Sequence, residues 1–442
     1  MFNVGIADGY LWVKADLRFQ EQSQGISMNS YTVLIIGILT VSYLLQITAD
    51  IVNVRHMDTR LPDEFKGYYD EETYRQSQEY NRESTRLSIT KQTVAFIATI
   101  VFIVAGGFNM ADHIARSAKH GNIVTGLVFT GILLLVSGLI ELPFSIYSTF
   151  VTEAKYGFNR TTPKTFIMDI FKICLLVAVI GSPVLAAVLW FFEKTGQWAW
   201  IICWISITVF QVLVMFVAPV IIMPIFNKFE PLEDGPLKKA IKDYADSQGF
   251  RMKGIFKMDG SRRSAKTNAF FTGFGRFRRI VLFDTLIDQH SVDELVSILA
   301  HEMGHYRMGH ITKHLVLSFL STGLMFFLMS LFVNNRELFN AFKMDHTSIY
   351  AGLLLFGFVY IPVDRLIAII TNMISRAHEY AADAYAVNTF KKPETMISAL
   401  KKLAVKNLSD LSPHPFKVVL DYTHPPVIYR INAIRKLIDS HS

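Results

Sequence analysis

Seven long apolar stretches constrain this chain more than any other feature. They lie near 31–48, 92–110, 123–150, 166–192, 198–226, 314–333 and 348–375. Each approaches or exceeds the roughly 20 residues an α-helix needs to cross a bilayer. Backbone groups in lipid must be hydrogen-bonded within the element, so spans of this length are helices. Hydrophobic residues make up 51% of the chain against 18% charged, which fits neither a disordered chain nor a small disulfide-stapled one. The expected fold class is therefore a mainly α, polytopic membrane protein, its longer spans tilted or reaching past the lipid. The first stretch starts late and no small-residue cleavage site follows it, so a span is expected rather than a removed signal peptide. Cys174 and Cys203 both fall in spans and read as packing residues, not as a disulfide or metal site.

Seven spans put the two ends of the chain on opposite sides. One side holds the N-terminal tail, 111–122, 193–197 and 334–347. Its basic residues are Lys14, Arg18, Arg116, Lys119, Lys194, Arg336 and Lys343. The other side holds 49–91, 151–165, 227–313 and the C-terminal tail, with most of the remaining Lys and Arg. The positive-inside rule assigns that second side to the cytosol. The same bias explains the net charge of +7, and the dispersed basic residues call for no nucleic acid partner. The segment 49–91, rich in Arg, Glu and Tyr and poor in aliphatics, is expected to be a solvated helical or irregular extension.

On the cytosolic side, His301-Glu302-Met303-Gly304-His305 has the H-E-x-x-H form. On a helix, residues i and i+4 lie about 40° apart around the axis. His301 and His305 can therefore present two ring nitrogens to one zinc, with Glu302 beside them as the base for an attacking water. Ser291 to Glu294 has the form of a capping box, and Leu295, Ile298 and Leu299 follow at helical spacing, so the motif lies inside a well-started helix. A third ligand is expected from Arg376-Ala377-His378-Glu379-Tyr380-Ala381-Ala382-Asp383. Glu379 and Asp383 share a helix face, which suits Glu379 as ligand and Asp383 as the carboxylate that fixes a ligand ring. The competing arrangement has His378 as ligand and Glu379 paired with Arg376. His310 and His314 read as too far round the motif helix to join it, and are expected near the membrane interface.

Asn268–Phe271, a Gly-rich turn at 272–275 and Arg279–Phe283 predict a β-hairpin. An exposed edge strand there would bind an extended peptide through its main chain. Glu141, Asp169, Lys172, Asp364 and Arg365 lie in spans and need partners or a water-filled interior.

Together, His301–His305, segment 376–383, Thr423-His424-Pro425-Pro426, Thr267–Phe270 and Arg279–Leu286 resemble the type I CAAX prenyl proteases. These are integral-membrane zinc metalloproteases related to the a-factor-converting enzyme of yeast. The resemblance spans most of the chain and implies seven helices forming a hollow barrel, capped by a gluzincin-like zinc protease domain with a small β-hairpin. It implies one Zn2+ per chain on His301, His305 and Glu379, with Glu302 as catalytic base. It further implies that His424 assists the oxyanion, that Arg430 supports it, and that Asn268, Ala269 and Phe270 hold the substrate backbone. The expected substrate is a peptide or protein ending in a prenylated Cys-a-a-X, losing its last three residues, with lipid as the other partner and no oligomer required. Broad quality control of membrane proteins is the alternative function. A non-catalytic scaffold or transporter with structural zinc is an alternative of another class, which an intact Glu302 disfavours.

The expected organisation is residues 1–226 with spans one to five, 227–313 with the edge strand and zinc helix, 314–376 with spans six and seven, and 377–442 with the third ligand. The absence of a C-terminal retrieval signal and the short 334–347 segment favour a bacterial cytoplasmic membrane, with the endoplasmic reticulum as alternative.

Overall fold

The computed structural model describes residues 29–58, 60–272 and 279–441. Among these, seven helices are long and apolar enough to span a membrane: Ser30–His56, Glu71–Val104, Asn122–Lys155, Pro163–Lys194, Gly196–Phe226, His310–Phe332 and Ile349–Phe390. Four of them, the first, second, third and seventh, begin or end five or more residues beyond the apolar stretch that announces them. Apolar length reports the lipid-facing part of a helix, whereas its ends are set by caps. Asp70 caps the second span by accepting from Thr73 N at 2.7 Å, and Thr162 caps the fourth, with Pro163 in its first turn.

Each span packs on its sequence neighbours, and the seventh also packs on the first and, around Tyr350, on the third and fourth. The spans therefore close into a ring whose wall is one helix thick. No more than 17% of any span's apolar window is buried, as a hollow barrel requires. At the end remote from the motif helix the ring is plugged. Phe339 and Phe342, Phe108 of the amphipathic helix Gly107–Ser117, Phe129 and Tyr350 share one core there. Neither cysteine is bridged: Cys203 is buried as expected of a packing residue, whereas Cys174 is exposed.

Several span charges act as pegs for the polar region. Asp169 accepts two hydrogen bonds from Arg263, at 2.8 and 2.9 Å. Arg365 donates to Gln46 Oε1 at 2.8 Å and meets Asp421 at 3.4 Å, tying the seventh span to the first and to the helix Pro415–Asp421. Lys172 donates to the carbonyl of Ile225 at 2.8 Å, and Glu141 pairs with Lys91 between spans two and three. Helix pairing and domain docking thus meet the polar needs of these four side chains.

The expected hairpin is half of a larger sheet. Strands β1 (Phe229–Pro231), β2 (Gly254–Met258), β3 (Ala269–Thr272) and β4 (Arg279–Phe283) lie in the order β1-β2-β4-β3. The β3–β4 pair is antiparallel and β2–β4 is parallel. β1 and β2 escape a sequence reading because they are short and lack strict alternation, and β1 contains a proline. The expected turn residues 273–275 lie outside the described residues. β3 forms one edge of the sheet and β1 the other. The sheet's inner face packs Ile255, Ile280 and Leu282 on Leu295, Val296, Leu299 and Met303 of the motif helix.

The segment 49–91 is not a solvated extension. Phe65, Tyr69, Tyr74 and Tyr80 are buried against the C-terminal helices Pro393–Lys406 and Val427–His441. Tyrosine supplies the apolar area that aliphatics would, and its hydroxyl must find a partner. Tyr69 donates to Ala404 O at 3.2 Å and Tyr74 to Asp58 O at 2.9 Å. From Glu71 the chain runs without a break into the second span.

Candidate metal centre

The motif helix, Val292–Arg307, starts as its sequence predicts, with Ser291 and Glu294 forming the reciprocal capping box. Glu294 also accepts from Ser398 at 2.5 Å and Lys402 at 2.8 Å, which fastens the helix start to Pro393–Lys406. At its other end the helix crosses the extension of the seventh span, which continues through segment 376–383 to Phe390. Gly304 permits the crossing: a Cβ there would lie 3.0 Å from Ala382 Cα and 3.1 Å from its carbonyl oxygen. Backbone cannot swing aside as a side chain can. Gly304→Ala is expected to push the two helices apart at a cost of about 1–3 kcal/mol, read as a lower thermal midpoint in detergent and weaker metal retention.

The crossing brings together His301, His305 and Glu379. Their ligand atoms all lie within 4.8 Å of one another, so the group can hold a metal ion. The two Nε2 atoms are 3.1 Å apart. Glu379 Oε1 lies 3.2 Å from His305 Nε2, and Oε2 lies 3.4 Å from His301 Nε2. Glu379 is buried, and its Oε2 has no hydrogen-bond partner. A buried carboxylate whose two oxygens each face one imidazole nitrogen makes a donor set suited to zinc. Burial works against charge on His301, but hydrogen bonds to Asp383 and Glu379 prevail and raise its pKa to about 9. Burial also raises the Glu302 carboxyl above its ordinary value.

Around this group, His301 Nδ1 lies 2.8 Å from Asp383 Oδ1. Arg430 donates to both Asp383 oxygens, at 2.6 and 2.8 Å, and its Nη1 lies 3.3 Å from Glu379 Oε2. His424 Nε2 stands 3.4 Å from Glu379 Oε1, with 64% of its side chain exposed to incoming ligand. Arg376 does not pair with Glu379. It donates to the carbonyls of Val418 and Tyr422, at 3.0 and 2.6 Å, and so fixes the loop that carries His424. His378 points away from the group, toward His314. His310 is not remote, because its Nδ1 lies 3.0 Å from His305 Nδ1. Gly309 adopts a left-handed φ of 68°, which breaks the helix and swings His310 back toward the motif.

Two cavities flank the group. The larger, about 730 Å³, lies between Glu302, Phe271 and Met215, Phe216, Met223 and Leu315 of spans five and six. The smaller, about 220 Å³, is lined by Asn268, Ile298, Leu403, Asn407, His424 and Arg430. β3 runs between them. Phe283 N donates to Asn268 O at 3.1 Å, so strand alternation turns the main-chain groups of Thr267, Ala269 and Phe271 outward. Thr267 is already taken: Asn407 accepts from its N–H at 3.0 Å and donates to its carbonyl at 3.4 Å. Ala269 N–H is covered only by the neighbouring Asn268 side chain, at 2.8 Å. Asn407 carries no sequence signal, since its partner lies 140 positions away.

Known proteins match this arrangement along nearly the whole chain. Residues 50–228 match the family profile described as CAAX prenyl protease N-terminal, five membrane helices, and residues 231–438 match peptidase family M48. CAAX prenyl protease 1 of Saccharomyces cerevisiae is 36% identical over 404 residues, covering 85% of this chain and 89% of its own. The homologue from Oryza sativa is 35% identical over 386 residues, covering 85% and 90%. The crystal structure of S. mikatae Ste24p superposes with a TM-score of 0.87 at 34% identity, covering 91% of this chain and 99% of that one. The chain therefore belongs to peptidase family M48, in the CAAX prenyl protease 1 group, and is a multi-pass membrane metalloprotease.

Proposed function

We propose that this protein binds one zinc ion on His301, His305 and Glu379 and removes the last three residues of proteins ending in a prenylated Cys-a-a-X. The observation that carries this reading is the free edge of β3, which runs past the metal group from an apolar cavity at the spans to a small, partly polar one. An isoprenyl chain enters the larger cavity, whose lining comes from the membrane helices. The residue after the scissile bond enters the smaller one. That direction makes the peptide antiparallel to β3, the pairing with straighter hydrogen bonds. Ala269 and Phe271 offer the open rungs, and Asn268 and Phe270 flank them.

Zinc, when bound, supplies Lewis acidity at the scissile carbonyl and the attacking water. Glu302 takes the proton from that water and delivers it to the leaving nitrogen. Burial raises its carboxyl above the ordinary value, which makes its carboxylate a stronger base toward that water. His424, exposed beside Glu379, donates a hydrogen bond to the carbonyl oxygen as negative charge develops there. Asp383 fixes the ring of His301 through Nδ1, and Arg430 holds Asp383 in turn. The basic residues on this side of the spans orient the site to the cytosol.

The test is a farnesylated Cys-a-a-X peptide beside its unlipidated twin, with and without chelator. Cleavage after Cys of the lipidated peptide alone, lost on chelation, is the expected result. Equal cleavage of both peptides contradicts the lipid assignment and favours broad quality control.

A further inference from the structure

Three histidines beside the metal group have no part in the mechanism above. His310, His314 and His378 come from the start of the sixth span and the extension of the seventh. His378 Nδ1 lies 3.2 Å from His314 Nε2. Their ring centroids are 5.1 Å apart and the planes cross at 88°. The same three measures for His301 and His305 are 3.1 Å, 4.8 Å and 81°. The outer pair repeats the spacing and crossing angle of the catalytic pair, although it meets through Nδ1 and Nε2 where the catalytic pair meets through two Nε2 atoms. In both, two imidazole edges converge at the separation that two ligands of one tetrahedral ion require.

Two further features suit this pair to an ion. The His378 ring is clamped: His310 stacks on it with centroids 3.8 Å apart and planes within 9°. His310 is itself tied to His305 at 3.0 Å. The nitrogen pair is thus held in place before any ion arrives. His314 and His310 also line the cavity of about 730 Å³, which leaves room for water on the open positions of a bound ion.

We propose that His314 and His378 form a second binding site for a divalent d-block cation such as Zn2+. Only two protein ligands hold it, so it fills after the three-ligand catalytic group. An ion there stands at the wall of the large cavity near Glu302 and His305, where it obstructs an incoming chain. Excess zinc then inhibits the protease. The obstruction rests on the cavity's proposed role as the lipid site, whereas binding of the ion does not.

The test is a buffered Zn2+ titration of the purified full-length protein in detergent, with bound metal counted by mass spectrometry. Wild type is expected to plateau at one equivalent and then at a second. His314→Asn and His378→Phe are expected to keep the first and lose the second, with retention of the first reporting an intact fold. Two outcomes overturn the site: a wild type that stops at one equivalent, or variants that still take up two. Loss of both equivalents in both variants overturns it as well, because the pair then only supports the catalytic group. If the ion binds as described but excess zinc leaves cleavage of a farnesylated peptide unchanged, the cation site stands and the lipid assignment of the cavity fails.

Discussion

Glu302→Gln is expected to retain zinc and lose peptide cleavage, with kcat/KM falling by about 10⁴-fold, the upper end for general acid–base catalysis. The amide matches the carboxylate in shape and leaves His301, His305 and Glu379 in place, so bound metal should be unchanged. What is lost is the proton acceptor for water and the donor for the leaving nitrogen. Glu302 sits between the two ligand histidines on a helix whose start is pinned by Ser291, Ser398 and Lys402, so a replacement side chain occupies the same spot. The two readouts separate the possibilities. A variant that cleaves like wild type refutes the assigned base, and one that loses zinc assigns Glu302 to metal binding instead.

Asp383→Ala should produce the second large effect, through the metal rather than the proton. Asp383 is buried, accepts from His301, and takes two hydrogen bonds from Arg430. Its removal leaves the Arg430 guanidinium, whose side chain is only 11% exposed, facing the Glu379 carboxylate at 3.3 Å and the His301 ring nitrogen at 3.3 Å, without its two strongest hydrogen bonds. Stranding a buried charge of this kind costs about 3–5 kcal/mol. Loss of the partner that orients a ligand imidazole weakens metal binding by about 10–100-fold. Both should appear together, as a lower unfolding midpoint in detergent and a right-shifted zinc-buffer titration. Asp383→Asn, which keeps one acceptor oxygen for Arg430, is expected to fall between. An unchanged zinc affinity in the Ala variant would show that the His301 ring is held by other means.

Local order was legible wherever the physics is local. The capping box at Ser291 and Glu294, the shared face of His301 and His305, and the pairing of Glu379 with Asp383 all follow from helical spacing within one segment. The seven spans follow from apolar length alone. Features made by distant segments left little trace. Thr267 and Asn407 meet across 140 positions, and their bond decides which rungs of β3 stay open. His310 looked remote because a continuous helix would carry it round the far side, whereas Gly309 ends that helix and returns it to His305. The Tyr-rich stretch before the second span looked solvated because its apolar area lies in tyrosine rings, whose hydroxyls find carbonyls only in the folded protein. β1 and β2 are held by their neighbours in the sheet more than by their own pattern.

The most direct test of the metal centre is zinc-edge anomalous diffraction from crystals of the full-length protein loaded with one equivalent of Zn2+. The expected result is a single peak about 2.0–2.2 Å from His301 Nε2, His305 Nε2 and a Glu379 oxygen, with Glu302 turned toward the open position. A first-equivalent peak bound by His378 instead of Glu379, or lying away from the motif helix, would contradict the account.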